Sequence, residues 1–309
     1  MSKPPPRGYA EKAAAGAVRI GISGWRYKGW RGVFYPKGLP QRAELAYAAG
    51  IFNSIEINGT FYRLQKPEFF RQWADATPKD FVFAVKGSRF ITHMLKLKDA
   101  RPALARYFAQ GVLEPGPKLG PILWQFPEQF RFNAERLEAF FKLLPRDTIA
   151  AAELARTATV RKTGRRVGRK TPAGVVDRPL RHAIEIRHKS FRDPAFIELL
   201  RAHNVALVVA DTVEWPLLMD VTSDFVYCRL HGSEVLYASG YGEDALQTWA
   251  TRIAAWARGG EPDDAIRASP RPAPRAPSRD VYVYFDNDAK VRAPFDAQRL
   301  KAIVDEKLG

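Results

Sequence analysis

The chain has 309 residues, 46% of them hydrophobic and 12% aromatic, enough to bury a substantial core. Its single cysteine, Cys228, excludes an internal disulfide framework and a cysteine-based zinc cluster, and no apolar stretch approaches the roughly 20 residues that span a bilayer. The formal charge of +16 is concentrated: Met1–Ala17, Arg156–Arg181 and Arg258–Arg279 carry net charges of +2, +8 and +2, leaving the remainder only mildly basic.

Residues 1–17 form a basic tail without the apolar core of a secretory signal, which predicts a flexible segment on a cytoplasmic protein with no membrane partner. The first apolar run is Val18–Trp25, with Tyr27 and Trp30 just beyond it. The second, Ser54–Asn58, puts Glu56 and Asn58 on one face of a strand, and Phe61 and Tyr62 follow. Lys66-Pro67 is a helix-start signal for periodicity over Glu68–Ala76. Phe81–Lys86 is a third strand ending in lysine, trailed by Ser88, Arg89 and Phe90, and helical spacing returns over Pro102–Val112. Pro121–Phe126 carries Trp124 and Gln125, and Asn133 caps a helix over Ala134–Leu144.

The stretch Arg156–Arg178 is glycine-containing, strongly basic and aperiodic, and is expected to be a mobile insertion. Ala183–Arg187 then aligns Glu185 with Arg187, with His188 next in line, and Asp193-Pro194 starts a helix over Pro194–His203. Ala206–Asp211 and Phe225–His231 are further strands, the latter aligning Arg229 with His231 and turning Cys228 to the opposite face, toward the core. A helix over Asp244–Ala257 is followed by the Pro/Arg-rich segment Arg258–Arg279, expected to be extended or disordered. Val281–Asp288 aligns Asp286 with Asp288, and Asp296–Leu308 closes the series as a helix.

Eight strands alternating with helices imply βα units, and they fit a closed TIM-like (β/α) barrel over residues 18–309 better than an open sheet; no GxGxxG or GxxxxGK[ST] loop occurs. Such a barrel gathers its reactive groups where the strands finish. Charged pairs at four strand ends are costly to bury unless paired or used, so they are expected to converge on one polar mouth. There Glu56 and Glu185 are candidate acid–base groups, His231 and His188 candidate proton carriers, and Arg187 and Arg229 donor forks for an anion. Lys86 offers a phosphate contact or a Schiff base, and Trp25 and Tyr62 offer ligand contact, whereas Trp30, Phe61 and Trp124 are expected in the core. The competing reading is an ion network that only holds neighbouring strands in register. His93, His188 and His231 with Glu56, Glu185, Asp211 and Asp286 could in principle assemble nitrogen and oxygen ligands, but no HExxH-like spacing occurs; no metal is assigned and no cofactor is identified.

These same stretches resemble the DUF72 family, the YecE-like proteins of largely unassigned function. The resemblance runs through GISGWRYKGW (Gly21–Trp30), FNSIEINGTFYR (Phe52–Arg63), FVFAVKGSRFITH (Phe81–His93), LGPILWQFP (Leu119–Pro127), AIEIRHKSF (Ala183–Phe191), FVYCRLHG (Phe225–Gly232) and VYVYFDND (Val281–Asp288). It implies a TIM-like barrel and maps the family's polar strand-end positions onto Glu56, Asn58, Lys86, Gln125, Glu185, Arg187, His188, Arg229, His231 and Asn287. Asp286 stands where the family often has asparagine, Glu128 where a second proline is common, and Phe191 where tryptophan is frequent.

The expected function is an enzyme, a hydrolase of phosphoester or nucleic-acid-derived substrates, acting on an anionic small molecule or nucleic acid at the C-terminal mouth. In that site Glu56, Glu185, His231 and His188 are catalytic, and Trp25, Asn58, Tyr62, Lys86, Gln125, Arg187, Arg229, Asp286 and Asn287 bind substrate. The alternative is a non-catalytic nucleic-acid-binding barrel that joins its basic loops to the aromatic rim. A small-molecule-binding or scaffold barrel is a third class.

Overall fold

The computed structural model describes residues 14–158, 176–232 and 234–309. Most of the basic tail and of the Arg156–Arg178 insertion therefore lie outside the described residues.

Eight parallel strands close into a barrel in sequence order: β1 (Val18–Ser23), β2 (Ser54–Ile57), β3 (Val82–Lys86), β4 (Leu119–Gln125), β5 (His182–Glu185), β6 (Ala206–Asp211), β7 (Phe225–Leu230) and β8 (Asp280–Phe285). β8 returns to pair with β1, from Val18 opposite Val281 to Ile22 opposite Phe285, so no edge is left exposed. The strands sit within a few residues of the expected runs, and β6 agrees at both ends.

Alternation within each strand divides the apolar residues into two cores. Outward-facing Ile22, Phe83, Val85, Trp124, Ile184, Leu207 and Val283 pack beneath the helices. Inward-facing Ala84, Ala183, Ala206, Val208, Phe225, Tyr227, Tyr282 and Tyr284 fill the barrel itself. Size is complementary across the interior. Three tyrosines from β7 and β8 occupy the space that Gly21, Ala84, Ala183 and Ala206 leave.

All six expected helices are present: α3 (Pro67–Asp75), α4 (Arg101–Tyr107), α5 (Ala134–Leu143), α7 (Pro194–Ala202), α8 (Glu243–Ala257) and α9 (Ala293–Leu308). Asn133 and Asp193 cap α5 and α7, accepting from the backbone nitrogens of Arg136 and Ala195 at 2.8 Å each. The expected helix over Pro102–Val112 stops earlier, because Phe108–Val112 widens into a π-type turn. Gly111 has φ 111° there, and a Cβ on it would lie 2.6 Å from Pro67 Cα. Three short helices carry no long apolar stripe and were not expected: α1 (Glu44–Ala49), α2 (Gly59–Tyr62) and α6 (Thr148–Arg156).

The Pro/Arg-rich segment, expected to be extended or disordered, is irregular backbone with turns at 258–259 and 263–264, and it is tied down by hydrogen bonds. Met219 N donates to Ile266 O at 2.7 Å, Asp220 accepts from the backbone nitrogens of Ala268 and Ser269, and Arg279 donates to the carbonyls of Gly260 and Pro274. Lacking a repeating backbone pattern, it satisfies its polar groups through side chains. Topology also places it. This segment leads from α8 into β8, so it meets the barrel at the N-terminal ends of the strands, opposite the mouth.

No described helix is long and apolar enough to cross a membrane.

Candidate active site

The last inward-facing residue of each strand decides what the mouth contains. β1, β2, β3, β4, β5, β7 and the end of β8 contribute Ser23, Glu56, Lys86, Gln125, Glu185, Arg229 and Asp286. Gly24, at φ +87°, turns the chain out of β1 while its nitrogen donates to Glu56 O at 2.9 Å.

The lower part of this polar layer is sealed. Glu56, Glu185, Arg229 and His231 are all 0% exposed. Arg229 Nη1 donates to Glu185 Oε2 at 2.6 Å. Its Nη2 reaches Ser23 Oγ at 3.0 Å, Glu56 Oε1 at 2.9 Å and Asp286 Oδ2 at 2.8 Å, so one guanidinium ties β7 to β1, β2, β5 and β8. Glu56 also accepts from Ser23 Oγ and from Tyr227 OH. Glu185 Oε1 accepts from Arg187 Nε at 3.0 Å and Nη2 at 2.9 Å. Burial alone would raise the Glu185 carboxyl, but Arg229 and then Arg187 hold it well below the usual carboxylate range. Asp286 behaves alike, with Arg229 the leading opposition to burial.

Above this layer opens a cavity of about 790 Å³. Trp25, Tyr27, Phe61, Tyr62, Trp73 and Tyr237 form aromatic walls. Arg26, Arg63, Lys86, Arg89 and Arg187 bring five cationic side chains, against the carboxylates of Asp286 and Asp288. Arg187 is held from two sides: its guanidinium carbon lies 3.6 Å from the centroid of the Trp215 ring, and Nη2 donates to Tyr237 OH at 3.3 Å. Its Nη1 has no protein acceptor among the described residues. Lys86 Nζ sits 4.6 Å from the Phe61 ring centroid, and burial, followed by the charge of Arg229, lowers its pKa to about 8. Burial and then Asp286 raise Asp288 to about 6. Burial and then Arg187 lower His93 to about 4, so its imidazole is neutral at neutral pH.

Of the residues expected to bind substrate, Trp25, Asn58, Tyr62, Lys86, Gln125, Arg187 and Asp286 line the cavity. Others are placed differently. Arg229 lies beneath the floor with both terminal nitrogens engaged. Asn287 is corrected: with Asp286 facing inward, alternation turns it outward, where Nδ2 donates to Ser239 O at 2.9 Å and Asp296 Oδ2 at 2.8 Å. Glu56, Glu185 and His231, expected to be catalytic, are sealed away from a ligand in the cavity; His231 Nδ1 approaches Asp286 Oδ2 at 3.2 Å. His188 is corrected too, because its Nδ1 accepts from Ser190 N at 3.1 Å as a cap and the residue does not line the cavity. Trp30 and Trp124 are core, as expected, whereas Phe61 both packs and forms cavity wall. Cys228 is buried on the outward face, and burial raises its thiol.

Sequence reasoning missed Arg26, Arg63, Tyr27 and Tyr237 as cavity residues, since loops carry no period that reveals their direction. Arg89 and His93 follow β3 closely enough for their position to have flagged them. Among the potential metal ligands, Asp211 faces away from the mouth, with Oδ2 accepting from Trp249 Nε1 at 3.0 Å. Among the described residues, no group of three or more His, Cys, Asp or Glu side chains is arranged to hold a metal ion.

The family model described as "Protein of unknown function DUF72" matches residues 19–308. The UPF0759 protein YecE of Escherichia coli (strain K12) is 28% identical over 136 residues, which cover 38% of this chain and 47% of YecE, so the chain spans about half the length of that curated relative. The crystal structure of a DUF72 family protein from Thermotoga maritima MSB8 is similar with a TM-score of 0.67 at 25% identity, covering 94% of this chain and 99% of that one. A DUF72 family protein from Enterococcus faecalis V583 shares the fold with a TM-score of 0.64 at 15% identity, covering 93% of this chain and 95% of that one.

Proposed function

The chain belongs to the DUF72 family of proteins of unknown function, and from that premise we propose that it is an enzyme acting on an anionic, phosphate- or nucleic-acid-derived substrate in the cavity at the C-terminal mouth of its barrel. The observation that carries this reading is the division of cations between the two layers. Arg229 is spent on the carboxylates beneath the floor, while five cationic groups face a cavity holding two carboxylates. Arg187 is rigid, half neutralised by Glu185, and retains Nη1 for a ligand oxygen, which is the arrangement that planar recognition of phosphate or carboxylate needs. The walls are aromatic and enclose enough space for a sugar- or nucleotide-sized molecule.

Acid–base work falls to groups that reach the cavity. Asp288, raised to about 6, and Lys86, lowered to about 8, bracket neutral pH and can exchange protons with a substrate there. Glu185 and His231 act one step removed, beside Arg187 and Asp286 respectively, and Glu56 holds Arg229.

The alternative of a non-catalytic nucleic-acid-binding barrel needs the basic appendages and the aromatic rim on one surface. The Pro/Arg-rich segment meets the barrel at the end opposite that rim, which favours the cavity as the anion site.

Calorimetric titration with inorganic pyrophosphate tests the reading. The wild-type chain is expected to bind, and Arg187→Ala to weaken binding by about ten- to a hundredfold, the worth of one or two charge-assisted hydrogen bonds. Equal affinity in both proteins, or none in the wild type, overturns it.

A further inference from the structure

Lys86 is the one cavity cation whose setting suits a reaction better than a grip. It ends β3 on the cavity floor, and its backbone is pinned: the Lys86 carbonyl accepts from Thr60 Oγ1 at 2.6 Å and from Tyr107 OH at 3.5 Å. Yet among the described residues its Nζ makes no hydrogen bond and no ion pair within 4 Å, and it lies over the face of the Phe61 ring. A lysine meant to hold charge in a buried place is normally given a carboxylate partner. Here Glu56, Glu185 and Asp286 are all within electrostatic reach, but each is drawn to Arg229.

We propose that Lys86 is a carbonyl-capturing nucleophile, whose Nζ forms an imine with an aldehyde or ketone that carries an anionic group held by Arg187. This rests on the anion-binding reading of the cavity and adds the reaction and the substrate class to it. The neutral amine forms a C–N bond to the carbonyl carbon, the carbonyl π pair moves to oxygen, and the proton shed by nitrogen passes to that oxygen. The second proton of the amine leaves as the C–O bond breaks and the nitrogen lone pair closes C=N. The sum is one amine and one carbonyl giving one imine and one water, with no other reactant. Asp288, which also lines the cavity, can relay these protons.

Burial favours the neutral amine. It is the largest opposition to protonation, followed by the charge of Arg229 of β7, while Asp286 beyond β8, Glu56 of β2 and Glu185 of β5 support protonation without prevailing, and His93 is neutral. An amine titrating near 8 is unprotonated about one-tenth of the time at neutral pH, against about one part in three thousand for an ordinary lysine.

The test uses the full chain with sodium cyanoborohydride and either pyruvate or 2-deoxyribose 5-phosphate near neutral pH, read by intact mass and peptide mapping. Supporting results are one adduct on Lys86, heavier by the carbonyl compound less one oxygen, slowed by added pyrophosphate, accelerating as pH rises through about 8, and absent from Lys86→Met. Labelling spread over exposed lysines such as Lys142, or unchanged by pyrophosphate in the wild type, overturns the proposal even if Lys86→Met fails to fold. Pyrophosphate titration of the same preparation separates the two readings. Binding without an adduct removes only the imine, and loss of both removes the anion site as well.

Discussion

Two layers of charge stacked at one end of the barrel use the same residue types to opposite ends. In the lower layer Arg229, Glu56 and Glu185 have no exposure and bond across five strands through both terminal nitrogens of Arg229, leaving only its Nε without a partner among the described residues. In the cavity above, Lys86 and Arg187 reach a solvent-accessible space with donors to spare. Position along a strand separates the two roles poorly, since Lys86 and Glu185 each end their strand. What separates them is whether the neighbouring strands supply a complementary partner. A satisfied buried network builds the wall, and an unsatisfied group beside a cavity is available for chemistry.

The largest expected effect comes from breaking the lower layer. Arg229→Met leaves Glu56, Glu185 and Asp286 without their shared counter-charge and is expected to cost about 3–5 kcal/mol in denaturant unfolding. A loss below about 1 kcal/mol would mean that the network contributes little to the fold.

Replacing Lys86 sharpens the contrast, because the sign reverses. Burial lowers its folded pKa to about 8, so the folded state resists the proton that the unfolded chain binds. That penalty is fully present below pH 8 and disappears as pH rises through the unfolded value near 10.5. Lys86→Met is therefore expected to raise stability at neutral pH by roughly 1–3 kcal/mol, with the gain vanishing above about pH 10. Destabilisation at every pH would show that the amine is structurally engaged.

Arg187→Ala follows in size, with the loss of pyrophosphate affinity given above and little change in unfolding, because Glu185 keeps Arg229 as a partner. The smallest effect concerns Asp288. Burial and Asp286 raise its carboxyl to about 6, so it is neutral below that pH and negative above it. Affinity for sulfate, which does not titrate in this range, is expected to fall by roughly fivefold between about pH 5 and 7, and Asp288→Asn to flatten the change.

The sequence carried the fold well, because eight short apolar runs separated by helical spacing admit few architectures, and all eight strands lie where those runs predict. The end of α4 at Tyr107 was hidden, since periodicity continues through the following turn, where Gly111 takes φ 111° in a space with no room for a Cβ beside Pro67. At the site, alternation correctly aligned Glu185 with Arg187. Alternation could not choose between a catalytic Glu185 and the competing ion network, and the buried bonds of Glu185 to Arg187 and Arg229 fit the network. Nor can alternation place both Asp286 and Asn287 inward: alternation pointed to Asp286, and the family pattern added Asn287. The walls were least legible: Tyr27 and Tyr237 enter from loops, whose directions depend on tertiary contacts rather than on any repeat.

The most direct measurement is a crystal structure of the chain grown with pyrophosphate. The anion is expected inside the cavity, with an oxygen on Arg187 Nη1, another within reach of Lys86 Nζ, and none on Arg229. An empty cavity with pyrophosphate bound only at the opposite end of the barrel, or an anion that pulls Arg229 out of its carboxylate network, would contradict the division between a sealed structural layer and an open reactive one.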